Sequence, residues 1–149
     1  MDAPIPDLDD DQAFAEALRP SLLRLSRQLR REAQKAGMSA LDATLLALIQ
    51  KRPGIGGGEL ADFERMTRPS MSSHLKRLES AGWIARDPAR EEDRRRVGLR
   101  LTPAGVASLE AIRRRRNDWL AARLAALSPK ARRTLAGAAD ALRELAGDR

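Results

Sequence analysis

The chain has no cysteine, no tyrosine and one histidine, His74. Without cysteine there is no disulfide framework, no thiolate metal site, no cysteine nucleophile and no thiol redox switch. One histidine also excludes a histidine-rich metal cluster, and neither a phosphate loop nor a spaced pair of carboxylates replaces the missing catalytic groups. An enzyme is therefore poorly supported, and no cofactor or metal is expected. The four aromatic residues, Phe14, Phe63, Trp83 and Trp119, do not suggest an aromatic cage. No apolar run approaches the roughly 18 residues of a membrane span. The opening "MDAPIPDLDDDQ" holds five acids and no base, the opposite of a signal or transit peptide. A soluble, cytoplasmic chain is expected, with residues 1–10 as a disordered acidic tail, since two prolines and the acids leave little to bury.

What the chain does have is positive charge. Its 149 residues, enough for one domain with a real core, carry a formal net charge of +7. Leaving out Asp2, Asp7, Asp9, Asp10 and Asp11 raises that to +12 over the remainder. A body this basic favours polyanions, nucleic acid ahead of an anionic membrane.

Most of the chain reads as helix. Leu18, Leu22, Leu25 and Leu29 form one apolar seam on a helix from about Asp10 to Lys35, stopped at Gly37. Ser39 can cap "ALDATLLALIQK", which is apolar on most sides. "PGIGGGEL" lacks the Gly-Lys-Ser/Thr of a phosphate loop and reads as a turn, with Ile55 adding a short third strand to the hairpin that follows. A short helix, "ELADFERM", comes next. Thr67 caps a second one within "MTRPSMSSHLKRLESAGW", with Pro69 in its first turn and Gly82 as its stop.

On that second helix Met71, Leu75 and Leu78 share one face. At 100° per residue Ser73, Lys76, Arg77 and Ser80 lie opposite, with Pro69, Ser70 and Ser72 on the flanks. A small, hydroxylated and basic face suits the major groove, where bulk or negative charge would be excluded. His74 lies beside the apolar face and reads as a hydrogen-bonded boundary residue; Trp83 reads as core.

Residues 90–105, "REEDRRRVGLRLTPAG", begin with a charged loop and end in strict alternation. Arg96, Gly98 and Arg100 fall on one side and Val97, Leu99 and Leu101 on the other, the period of a half-buried strand. From Pro103, capped by Thr102, a long helix carries Val106, Leu109, Ile112, Trp119 or Leu120, Leu124 and Leu127 as its seam. The run Arg113–Arg116 interrupts it, open to three roles: a solvated face, phosphate contact, or the junction of two structural parts.

Helix, helix and a charged two-stranded hairpin, in that order, make a winged helix-turn-helix. The stretch "GELADFERMTRPSMSSHLKRLESAGWIARDPAREEDRRRVGLRLTPAG" resembles the DNA-binding core of the MarR family of bacterial transcription regulators. The resemblance rests on Glu59-Leu60-Ala61, Leu78-Glu79, Ala81-Gly82-Trp83-Ile84, Arg86, Asp93-Arg94-Arg95, Leu101-Thr102 and Gly105. It extends to "SPKARRTLAGAADALREL", which resembles a closing helix with Leu135, Leu142 and Leu145 as its seam. One departure is the glycine run before Glu59, where such helices usually carry a capping side chain.

The resemblance implies a mainly α fold with a small β-hairpin, assembled as an interlocked homodimer. Residues 11–37 and 103–149 would supply dimerisation helices, and 39–102 the DNA-binding lobe. The expected partner is double-stranded DNA with an inverted-repeat operator; a small anionic or aromatic effector is the family's usual control. No effector residue can be named from sequence. The DNA-binding set is Thr67, Arg68, Pro69, Ser70, Ser72, Ser73, Lys76, Arg77 and Arg86, with Arg94, Arg95 and Arg96 in the wing and Asp93 positioning it. The competing readings are DNA binding with little sequence specificity and a winged helix used for protein contacts.

Overall fold

Five helix starts follow from a side chain that accepts hydrogen bonds from backbone N–H groups of the first turn. Asp10, Ser39, Thr67, Thr102 and Ser128 each accept from an N–H two or three residues on. In the computed structural model, which describes residues 10–87 and 97–147, they open α1 (Asp11–Lys35), α2 (Ala40–Lys51), α4 (Arg68–Ser80), α5 (Pro103–Ala125) and α6 (Pro129–Gly137). Asp10, assigned to the acidic tail by sequence, thus belongs to the cap of α1. Residues 1–9 and the wing tip, including Asp93, Arg94, Arg95 and Arg96, lie outside the described residues.

The remaining elements are α3 (Gly57–Phe63), β1 (Ile84–Arg86), β2 (Leu99–Leu101) and α7 (Ala139–Ala146). Helix α3 starts two residues before the sequence expectation and ends sooner. Gly56 stands at its cap with no side-chain bond, a substitution for a hydroxyl that costs only a few tenths of a kcal/mol. The closing helix is also divided: Gly137 weakens its interior, the Ala138 N–H turns back to the Thr134 and Leu135 carbonyls, and α7 begins anew.

Strands β1 and β2 pair antiparallel, with Ile84 opposite Leu101, Ala85 opposite Arg100 and Arg86 opposite Leu99. The expected alternation holds at Leu99, which is buried, and Arg100, which is exposed, but not at Val97 and Gly98, which are both half-buried. Ile55 adds a single bridge to Leu99 rather than a strand.

The core gathers one face from each element: Leu45, Leu46 and Ile49 of α2, Leu60 of α3, Met71, Leu75 and Leu78 of α4, Ile84 and Leu99 of the hairpin, and Leu109 and Ile112 of α5. Trp83 packs half-buried against this cluster. At about 1.5–3 kcal/mol for each fully buried large side chain, it is what presses α4 against the rest. The base of the hairpin is joined to α5 by Thr102, which caps the helix at Gly105 N–H and donates to the Gly82 carbonyl. Gly105 is there because a Cβ would run into the Trp83 carbonyl.

Helix α1, like α6 and α7, contributes little to the core. Only Glu32 and Ala33 near its end are buried, and Phe14, Leu22 and Leu25 remain exposed. Leu127, Leu135, Leu142 and Leu145 are exposed as well. Among the described residues, no helix is long and apolar enough to cross a membrane.

Candidate DNA-binding surface

Helix α4 shows how three buried side chains orient a surface. Met71, Leu75 and Leu78 are buried, so one helical face is spent on the core, and Arg68, Pro69, Ser70, Ser72, Ser73, Lys76, Arg77 and Ser80 are all exposed. Its start is rigid. Thr67 Oγ1 accepts from the Ser70 N–H at 3.3 Å and donates to Ser70 Oγ at 3.0 Å. Ser73 Oγ donates to the Pro69 carbonyl at 3.2 Å and Ser80 Oγ to the Lys76 carbonyl at 2.8 Å, which turns their hydroxyls along the helix. With that proton committed, each hydroxyl keeps its lone pairs as acceptors.

The cations on this surface divide into free and held. Lys76 makes no ion pair among the described residues. Arg68, at the first position of α4, leans over Gly58 and shares with Arg86, Glu59, Asp62 and Val97 a polar cleft of about 530 Å³. That cleft sits at the root of the wing. Arg86 is carried by Glu79: Nε donates to Oε1 at 2.8 Å and Nη2 to Oε2 at 3.1 Å. Arg100, on the next strand, donates to Asp87 Oδ1 at 2.8 Å.

Arg77 is where structure and sequence part. Sequence sets it beside Lys76 as a reader of bases; its guanidinium instead faces back into the protein, donating to Asp42 Oδ2 at 2.8 Å and Oδ1 at 2.6 Å. Asp42, in the first turn of α2, is 2% exposed. Its carboxylate sits well at a helix N-terminus, but a buried charge needs a partner. Arg77 supplies it. Periodicity carried no trace of this pair, 35 residues apart. The available signal was chemical: an acid in a helix apolar on most sides needs a cation.

His74 behaves as the boundary residue expected. It is half-buried, with Nδ1 2.8 Å from Arg77 Nη2. Because a guanidinium only donates, Nδ1 accepts and Nε2 carries the ring proton.

Of the three roles left open for Arg113–Arg116, the contacts favour the junction. Arg113 Nη2 donates to Gln50 Oε1 of α2 at 2.8 Å, Arg115 lies 3.8 Å from the buried Glu32 of α1, and Arg116 Nε donates to the Leu29 carbonyl at 3.2 Å. Burial holds the Arg116 guanidinium below its ordinary pKa, though arginine stays charged in such settings. Arg113, Arg115 and Arg116 therefore tie α5 to α1 and α2, while Arg114 pairs with Glu110 of its own helix. Farther along, Ser21, Arg24, Leu25 and Gln28 of α1 face Trp119 and Arg123 of α5 across a groove of about 410 Å³. The Arg123 guanidinium lies 5.3 Å from the centre of the Trp119 ring.

Comparison with known proteins agrees with this architecture. The MarR family profile matches residues 38–97, from the turn before α2 into the hairpin. An HTH-type transcriptional regulator of Mycobacterium leprae is 33% identical over 138 residues, which span 93% of this chain and 96% of that protein. A crystal structure from Pseudomonas aeruginosa, described as a transcriptional regulator, superposes with a TM-score of 0.79 at 30% identity, covering 97% of this chain and 100% of that one. A Mycobacterium tuberculosis MarR family protein, solved in complex with p-aminosalicylic acid, superposes with a TM-score of 0.60 at 28% identity, covering 84% of this chain and 97% of that one. The chain belongs to the MarR family of transcriptional regulators.

Proposed function

We propose that this regulator binds an inverted-repeat operator as a homodimer and thereby occludes a promoter. The observation that carries the reading is α4, which exposes Ser70, Ser72, Ser73 and Lys76 beside the rigid cap at Thr67 and the exposed Arg68 and Pro69. That face offers hydroxyls and one unpaired ammonium to base edges and phosphates. In this reading the wing residues Arg94 and Arg95 reach the neighbouring minor groove, where negative potential favours arginine, with Asp93 holding one guanidinium and Arg96 meeting phosphate. Arg86, carried by Glu79, meets phosphate at the root of the wing.

The dimer reading is supported by the apolar side chains that the single chain leaves uncovered on α1, α6 and α7. A second copy is the occupant, because these are the same terminal helices that residues 11–37 and 103–149 would contribute to a two-fold frame around lobe 39–102. Two recognition helices on one face of a duplex need half-sites about one helical turn, roughly 34–36 Å, apart.

A small aromatic anion is the effector class. One relative was solved with p-aminosalicylic acid; in this chain the groove between α1 and α5 offers Trp119 as a flat wall and Arg24 and Arg123 as cations. A modest coupling suffices, since about 1–3 kcal/mol shifts operator affinity 5- to 150-fold.

The test is binding of the purified protein, at near-physiological salt, to duplexes tiled across the DNA upstream of its own coding region. One inverted-repeat fragment should bind about 10³-fold or more tighter than its scrambled counterpart. Equal binding to all fragments would leave charge alone as the basis of association, and binding to none would favour a winged helix used for protein contacts.

A further inference from the structure

We infer that Asp42 is a positioning residue for DNA reading, fixing the rotation of α4 through Arg77. This rests on the proposal that α4 enters the groove. The core contacts of α4, through Met71, Leu75 and Leu78, are apolar. They press the helix down, but the hydrophobic effect behind them has no preferred direction. A carboxylate–guanidinium fork is different, because two parallel hydrogen bonds specify direction as well as distance. Here the fork joins Asp42 Oδ1 and Oδ2 to the two Nη atoms of Arg77 at 2.6 and 2.8 Å.

Asp42 cannot relax away from this arrangement, since its side chain is 2% exposed and its removal from Arg77 would leave a buried charge. Helix α2, which carries it, is itself anchored in the core by Leu45, Leu46 and Ile49. The constraint therefore runs from the best-buried helix to the exposed one. His74 adds to it by accepting from the same Nη2 at 2.8 Å, which uses the second hydrogen of that nitrogen. Two residues beyond Arg77, in the same last turn of α4, Glu79 makes a second polar tie, to Arg86 of the hairpin. Recognition needs such fixing: base readout tolerates an error of about 10–20° or 0.5 Å in the side chains that perform it.

The variants Asp42→Asn and Arg77→Lys test the idea. The first keeps the size and loses the charge and half of the fork; the second keeps the charge and loses the fork. A duplex selected from a random-sequence pool by the wild-type protein serves as operator, and its scramble as the reference. For each variant the ratio of the two affinities should fall about tenfold, the weight of one hydrogen-bonded base edge. In Asp42→Asn the affinity for the scramble should stay near the wild-type value. The double variant should lose no more than the worse single one, because both changes cut the same tie.

A purely structural role gives a different pattern. It lowers the thermal midpoint and the active fraction, which reduces both affinities together and leaves the ratio unchanged. An unchanged ratio in both single variants, with a selective wild type, overturns the positioning role while the DNA-reading proposal stands. A wild type that yields no preferred duplex overturns that proposal first, and this inference with it. Should Asp42→Asn fail to fold, Arg77→Lys carries the test, since its side chain is half exposed and its charge is kept.

Discussion

Lys76 and Arg77 are adjacent cations on one exposed face, and they do different work. Lys76 has no partner among the described residues and is available to DNA; Arg77 is committed to Asp42. Lys76→Ala should weaken operator binding by about 1–3 kcal/mol if the ammonium reads a base. Equal losses on operator and scramble would assign it to phosphate. Arg77→Ala should first cost stability, about 1–3 kcal/mol or more, because a buried carboxylate loses its partner; urea unfolding measures it, and an unchanged midpoint would show that water reaches Asp42. The residues at the caps were legible from sequence, since Ser39, Thr67 and Thr102 act locally and the rule that places them is local. Asp42 and Arg77 were not. A tie between two helices has no period, and only the mismatch of an acid in an apolar helix pointed to it.

At the scale of elements, the joint between hairpin and α5 is the most constrained place described. The Thr102 hydroxyl is used twice, as cap and as donor to Gly82, and Gly105 packs against the Trp83 carbonyl. Gly105→Ala should therefore destabilise the fold by about 1–3 kcal/mol or more, the usual range for overpacking, despite the better helix propensity of alanine. A stabilised variant in thermal unfolding would mean that α5 can shift freely. In sequence this joint is visible as a cap and a proline-led helix start, but the close approach is not. The paired base of the hairpin was legible as alternation, while the charged tip lies outside the described residues. Its phosphate role is testable: the Arg94→Ala, Arg95→Ala double variant should lower the slope of log affinity against log salt by about 0.9 for each phosphate the wing no longer neutralises. An unchanged slope removes the wing from the interface. The division of the closing helix was not legible, because its leucines keep a helical spacing across Gly137 while the backbone does not.

For the whole molecule, the decisive feature is apolar surface that one chain cannot cover. Leu22 and Leu25 on α1 and Leu142 and Leu145 on α7 are 38–66% exposed, beyond what isolated surface leucines account for. The seams on both terminal helices were visible in the sequence; that they stay open in the single chain was not, because periodicity shows an apolar face without showing what covers it. Leu22→Glu should yield monomers by sedimentation and weaken operator binding, since one lobe alone reads half a site. A dimeric Leu22→Glu protein would place the interface elsewhere. The most direct test of two-lobe reading is made on the DNA. Inserting about 5 base pairs, half a helical turn, between the half-sites of the selected operator keeps every base contact but rotates one half-site to the far face. A two-fold reader should then lose nearly all its preference for that duplex over the scramble. Affinity that survives the insertion would contradict the dimeric, inverted-repeat account.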